Sequence, residues 1–313
     1  MHAAAFSPRG GVSPRSARLR GQSIIEYVLI IALIGLVIVF AGPGVAGAIR
    51  NQFSQVTNTV DSGADGGNFM SAEEKAYREA MKTVVNKDAK DWSLGEQKAA
   101  ATDIAKNGTS SVVYAKAKAA MEAGTKFSAK LTNGKTLEYR IVGINHDDLA
   151  DGSGKAGLTF EATNTVLGAQ RMNATQTNAG GWEQSELRGR LNSGDLWSLL
   201  PSELQSKVKT VKKMTDNKGG GTAGTPSATT DKVFLLSTTE VYGNLQSDGA
   251  QYEYYKSKGV STSSYSGASS SHDHWTRSVS PSNSAYFRRV NSNGDCGSNY
   301  AAHTSYVFPA FSF

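Results

Sequence analysis

The 313-residue chain has 1 cysteine, 7 prolines and 19% charged residues. A lone thiol, Cys296, excludes an intrachain disulfide scaffold and any zinc site built from several thiolates. So few prolines, beside 33 glycines and 39% hydrophobic residues, exclude a collagen-like or broadly disordered chain. Acidic charge is missing from residues 1–21, which carry Arg9, Arg15, Arg18 and Arg20. Those four account for most of the net charge of +6, and the remainder carries too little net charge to argue for a phosphate-binding surface. Nucleic acid is therefore not an expected partner.

What is present comes in sharply different blocks. From Ile24 to Ala41 only Glu26 is charged, and Val28–Phe40 is almost wholly Leu, Ile, Val and Phe. As a helix this run is roughly 27 Å long, which reads as a transmembrane or assembly helix with a cytoplasmic N-terminus. Gly42-Pro43-Gly44 would kink it, and Asp61–Asn68 has the composition of a linker. Beyond it, Ser71 and Glu74 make a capping-box signature, and Ala-rich stretches at Leu94–Lys106 and Val112–Ala123 predict further helices. After Gly124 the period changes. Asn133-Gly134 between Phe127–Leu131 and Leu137–Ile144 predicts a β-hairpin. Helices are expected at Glu186–Leu191 and Ser202–Lys212, a loop at Lys218–Thr230, and strands at Val233–Leu236, near Trp275, at Tyr286–Val290 and at Tyr306–Phe313.

The expected class is α+β: a long N-terminal apolar helix, a helical spacer, then a loop-rich mixed domain. The expected divisions are a basic leader at 1–21, the apolar helix at 22–58, a Gly/Asp linker at 59–70, the spacer at 71–124 and an extracellular α+β domain at 125–313.

Gly21-Gln22-Ser23-Ile24-Ile25-Glu26-Tyr27, with its basic leader and following apolar run, resembles the N-terminus of a type IV prepilin, most of all the Flp (Tad) branch. The resemblance implies cleavage between Gly21 and Gln22 by a prepilin peptidase, with Glu26 and Tyr27 acting in assembly. It implies membrane lipid and then other pilin subunits as partners, and a final place in an extracellular pilus. Flp pilins usually end soon after the helix, so the long C-terminal part implies a minor or tip-type subunit carrying a surface-binding domain, an adhesin in character. Ala46-Gly47-Ala48 leaves a different route open, a conventional signal cut after Ala48 that would release a secreted or tethered surface protein or enzyme.

Five segments of the C-terminal half carry a second resemblance: Tyr139–Asp148, Gly181–Asn192, Asp231–Ser237, Trp275–Ser278 and Phe308–Phe311. They resemble a domain of unknown function common in surface proteins of Gram-positive bacteria, and are similar to C-type-lectin-like and formylglycine-enzyme-like folds. No activity is implied. The single Cys296 opposes copper-dependent formylglycine chemistry, and the sugar-holding triplets of calcium-dependent lectins are missing.

Motifs for catalysis are scarce. Gly42–Gly47 fits G-x-G-x-x-G but follows a membrane-length run, and Gly134-Lys135-Thr136 belongs to the hairpin turn. Asp147, Asp148 and Asp151 are weak candidates for calcium, and His272 and His274 lack an evident third ligand. No cofactor is expected, and an enzyme is not. Trp182, Leu187, Leu191 and Phe234 read as core, and Arg188 and Arg277 as loop holders. Tyr254, Tyr255 and Tyr265, among Ser, Gly and Asn, are the expected ligand-binding surface, for a glycan or a protein.

Overall fold

The computed structural model describes residues 71–313, which lie in one compact unit. Three helices come first: α1 (Ala72–Val84), α2 (Leu94–Asn107) and α3 (Tyr114–Ala123). The Ser71 hydroxyl caps α1 by accepting from Glu74 N, and Ser93 with Glu96 forms a full capping box on α2. Gly124, in the left-handed region at φ 68°, ends α3. These helices, expected as a spacer, pack onto the first sheet and contribute Val84, Ile104 and Met121 to its core, with Trp92 from the α1–α2 connection.

That sheet runs β1 (Lys126–Lys130), β2 (Thr136–Ile144), β3 (Leu158–Ala162), β12 (Ala310–Ser312), β7 (Val233–Phe234). Gly134 turns the β1–β2 hairpin with φ 80°, and the two strands pair from Lys126↔Arg140 to Lys130↔Thr136. Alternation buries Leu137, Tyr139 and Ile141 in the core, where the rings of Phe127, Tyr139, Phe160, Phe311 and Phe313 meet at 5.0–5.9 Å, stacked, edge-on or tilted. The Tyr139 hydroxyl donates to Gln97 of α2 at 3.0 Å, which locks helix to sheet. Gly157, just before β3, has no room for a side chain, because a Cβ there would meet the Ala101 carbonyl oxygen at 1.8 Å.

Short elements follow: β4 (Ala169–Gln170), α4 (Glu186–Asn192), α5 (Asp195–Ser198), α6 (Ser202–Gln205), and a hairpin of β5 (Val211–Thr215) with β6 (Ser227–Asp231). Between β7 and the second sheet lie α7 (Thr238–Tyr242) and α8 (Glu253–Ser257). The second sheet is ordered β10 (Cys296–Tyr300), β9 (Tyr286–Val290), β8 (His274–Val279), β11 (Ser305–Tyr306), β4. All its pairings are antiparallel except β11 with β8.

The sequence expectations are corrected at three places. The long apolar helix of residues 22–58 lies outside the described residues, and among the described residues no helix is long and apolar enough to cross a membrane. The longest, α2, has 14 residues, about 21 Å, against a hydrocarbon core of about 30 Å. The architecture of the described residues is mixed α+β, and no membrane-spanning pilin helix is among them. Second, the helix expected over Ser202–Lys212 stops at Gln205, and Val211–Thr215 is a strand with alternating burial, paired with β6. Third, the loop expected over Lys218–Thr230 yields to strand β6 from Ser227 onward.

Candidate functional site

Around Glu240 four elements bring two acids and two bases together out of solvent. Asp147 follows β2, Lys213 stands on β5, Glu240 on α7 and Arg277 on β8, each at most 5% exposed. The Lys213 ammonium lies 2.6 Å from Asp147 and 2.5 Å from Glu240, and also donates to the Tyr252 hydroxyl at 3.0 Å. Arg277 grips Glu240 with both terminal nitrogens and donates to Thr215 Oγ1 and to the carbonyls of Leu235, Met214 and Asp248. The charges cancel two against two. Burial works against the Asp147 carboxylate, but Lys213 and His146 outweigh it and hold its pKa down at about 2. Glu240 is likewise lowered, its desolvation overcome by Arg277 and Lys213.

A second knot lies beside it. Arg140 pairs with buried Glu161 at 3.1 Å and sits over the Tyr254 ring at 4.1 Å, while Tyr255 donates to Glu161 at 2.7 Å. Here desolvation prevails over Arg140 and raises the Glu161 pKa. A third joins Arg188 to Asp231 at 2.6 Å, with Trp182 Nε1 donating to the same carboxylate. Every group in these knots has partners on neighbouring elements, and each knot fastens the sheets rather than presenting chemistry to a ligand.

This arrangement relocates the expected surface residues. Tyr254 and Tyr255 are buried parts of the Arg140 knot, not an exposed platform, and Tyr265 is half-buried against the core. Their Ser/Gly/Asn surroundings suggested exposure, but the rings cover β2 and β3, whose Arg140 and Glu161 need them. The three acids do not converge. Asp147 is in the buried network, Asp148 pairs with Lys155 at 2.9 Å, and Asp151 is used by Ser153 in a local turn. Among the described residues no group of three or more His, Cys, Asp or Glu is placed to hold a metal. Gly21, Gln22, Glu26 and Tyr27 lie outside the described residues. Arg188 and Arg277 hold loops and strands, and Trp182, Leu187, Leu191 and Phe234 are core, as their residue types implied.

The accessible chemistry lies on the second sheet. Where β11 enters between β8 and β4, a cleft of about 500 Å³ is lined by Ser271, His272, Asp273, Arg289, Thr304 and Tyr306, among others. Arg289 pairs with Asp273 at 3.0 Å, and the other Asp273 oxygen accepts from Ser292 N at 2.8 Å, so both side chains are aimed. The His272 ring leans on Tyr306 at 4.2 Å, with its Nδ1 2.9 Å from the Ser271 hydroxyl. Toward the β10 edge of the same sheet, Tyr300 meets Tyr286 at 4.5 Å and His303 at 4.9 Å, and Tyr300 is one of the few large apolar side chains left exposed among the described residues. A fixed carboxylate–guanidinium pair beside tilted rings and hydroxyls suits a polar, hydroxyl-rich ligand. Sequence reasoning missed Tyr300 and Tyr306. Their signal was position, each an aromatic at the end of a short strand near the C-terminus, and it was obscured by richer Tyr clusters upstream.

No curated protein and no solved structure matches the chain significantly. A family model does match residues 156–313, just over half of the chain, which contain the whole second sheet and the cleft. Residues 71–155 add the three helices and the β1–β2 hairpin to that body, and their Asp147 reaches into it to meet Lys213. The chain belongs to the family described as Domain of unknown function (DUF6273).

Proposed function

We propose that residues 71–313 are a non-catalytic binding module displayed at a cell surface, and that its ligand is a hydroxyl-rich group, a glycan in the first instance, held in the β8–β11 cleft. The observation that carries this reading is the division of labour between buried and accessible groups. The buried acids Asp147 and Glu240 are consumed by Lys213 and Arg277 in a charge-balanced knot, whereas the cleft offers hydrogen-bonding groups and ring faces without an activated nucleophile. The lectin-like resemblance of the C-terminal half favours the same use, and the strands β1–β2 and β12 that bracket that half share one sheet.

Display rests on the N-terminal motif. Gly21 and Gln22, followed by Glu26 and Tyr27, support membership of a pilus-like surface assembly, with a prepilin peptidase and neighbouring subunits as partners. Mass spectrometry of the surface-displayed protein should find Gln22 at its N-terminus. A terminus beyond Ala48 overturns that part of the reading and leaves a conventionally secreted module.

The binding claim is tested on the full chain with a panel of host and bacterial glycans. Tyr306→Ala and Arg289→Met should each weaken binding at least tenfold, with Tyr254→Phe close to the parent. Parent-like binding by both cleft variants overturns the assignment of the cleft.

A further inference from the structure

The helical layer carries a second concavity that shares no lining residue with the cleft. Between α1, α2 and the segment that leads into β5, a hollow of about 610 Å³ is walled by Glu73, Tyr77, Lys98, Lys207 and Lys209, among others. A smaller hollow of about 300 Å³ adjoins it through Glu73, Lys98, Thr102 and Lys209, and adds Lys106 and Lys155. The two make one groove with five lysines and two acids on its walls.

Most of these charges are not neutralised within the protein. Lys155 pairs with Asp148, Lys207 lies 3.7 Å from Glu203, and Glu74 is taken by Arg78. Among the described residues, Lys98, Lys106 and Lys209 have no carboxylate within ion-pair distance, although Glu73 stands on the same wall. Lys98 is held on α2, whose next three residues, Ala99, Ala100 and Ala101, are buried in the core. Lys209 is held by its main chain, which donates to the Ser312 carbonyl at 2.8 Å beside β12. Two well-anchored stretches of backbone therefore bring Lys98 and Lys209 to the wall of the same groove. Partial burial, and then the Lys209 charge, lower the Lys98 pKa to about 8. A site that holds like charges together is electrostatically prepared for an anion.

We propose that this groove is an oxyanion site, in which a carboxylate, sulfate or phosphate group sits between Lys98 and Lys209 with Lys207 at its rim. Charge complementarity supplies the recognition, and Tyr77 and the methylene stems of the lysines leave apolar wall for whatever carries the group. Its pH dependence follows from the groups that face Lys98: Glu73, Glu74 and Tyr77 from α1, Lys207 and Lys209 from the β5 approach, and Lys106 and Lys155 along the groove. The Tyr77 hydroxyl is pushed up to about 12 by burial and by Asp103, whereas Lys98, lowered to about 8, changes charge between pH 7 and pH 9.

The test uses the full chain with sodium sulfate and sodium phosphate against sodium chloride at matched ionic strength, read by thermal shift and by calorimetric titration at pH 7 and pH 9. Sulfate and phosphate should raise the melting temperature where chloride does not. Affinity should fall at least fivefold from pH 7 to pH 9. Lys98→Met and Lys209→Met should each lower it at least tenfold, whereas Lys130→Met, on an exposed β1 position outside the groove, should not. Lys98→Arg keeps a cation that does not titrate, so it should retain affinity and abolish the pH-dependent fall. A parallel titration with a sulfated disaccharide distinguishes the sources: tighter binding than inorganic sulfate identifies a glycan-borne group, and equal binding identifies the free ion. An equal response to chloride, or parent-like affinity in Lys98→Met, overturns the proposal and leaves the glycan reading of the β8–β11 cleft untouched.

Discussion

Arg277 and Glu240 face each other as a bidentate pair with both side chains withdrawn from solvent, the guanidinium on β8 and the carboxylate on the first turn of α7. Glu240 is also the N3 residue of the α7 capping box, where its side chain accepts from Ser237 N at 2.9 Å. One carboxylate therefore caps a helix, anchors a sheet arginine and receives Lys213 from the β5–β6 hairpin. Removing one partner of such a set leaves the others charged and desolvated, which costs far more than the intact pair contributes.

Arg277→Met should accordingly destabilise the protein by roughly 3–5 kcal/mol. Arg277→Lys should recover little, because a single ammonium cannot span both Glu240 oxygens and the Leu235, Met214 and Asp248 carbonyls that the planar fork reaches. Urea unfolding checks both. A lysine variant as stable as the parent would refute the shared-fork argument.

Acid should act through His274. Its ring stacks on Phe308 at 4.3 Å, and burial lowers its pKa to about 4. A depressed folded-state value means the unfolded chain takes up the proton first. Stability from this residue is complete above the unfolded value near 6.5 and is lost as pH falls toward 4, by roughly 3 kcal/mol in all. His146 has the opposite sign: burial opposes its charge, but Glu253 and Asp147 raise its pKa, so its contribution is present at acid pH and fades as pH rises through the folded value. His274→Phe should keep the stack and flatten the loss between pH 6.5 and pH 4. Chemical denaturation across that range decides the matter, and an unchanged slope in the variant would count against it.

Much of this fold could be read locally. The Asn133-Gly134 hairpin, the α1 cap and the β9 strand Tyr286–Val290 each depend on neighbours in sequence, and each stands where its residues indicated. What could not be read depends on partners far along the chain. Lys213 looks like a solvated residue of a basic helix, since nothing nearby announces that Asp147, 66 residues before it, will bury it. Tyr254 and Tyr255 likewise look exposed until Arg140 and Glu161, more than 90 residues away, claim their hydroxyls. At Val211–Thr215 burial alternates but residue type does not: Lys213 is buried and Met214 exposed, so no period-two apolar pattern marked the strand.

Those tyrosines should therefore behave as structure. Tyr255→Phe removes the hydroxyl that donates to Glu161 and leaves a buried carboxyl group short of a partner, at a cost of about 1–3 kcal/mol. Ligand binding by the folded variant should be unchanged. Thermal unfolding and glycan binding measured together separate the two roles. A stable Tyr255→Phe protein with lost binding would return this ring to the recognition surface.

The C-terminal strand should be the least dispensable segment of the chain. β12 lies between β3 and β7, pairing Phe311 with Phe160 on one side and with Val233 on the other. Phe311 and Phe313 are both buried, and their rings stand 5.5 Å and 5.0 Å from Phe160. Ser312 adds a 2.9 Å hydrogen bond to Thr159, which itself donates to Asp147, and its carbonyl accepts the Lys209 main chain. Deleting residues 310–313 would open a gap in the middle of the first sheet, expose two strand edges and free Asp147 of one link to the buried network. Each buried phenylalanine alone is worth roughly 3–5 kcal/mol on truncation to alanine, and a domain of this kind is typically stable by only about 5–15 kcal/mol. The truncated chain should fail to fold, with loss of near-ultraviolet circular dichroism and rapid proteolysis. Phe313→Leu, which keeps apolar volume and every backbone pairing, should fold and lose only a few degrees in melting temperature. A truncated chain with a parent-like cooperative transition would show that β12 decorates the sheet instead of completing it.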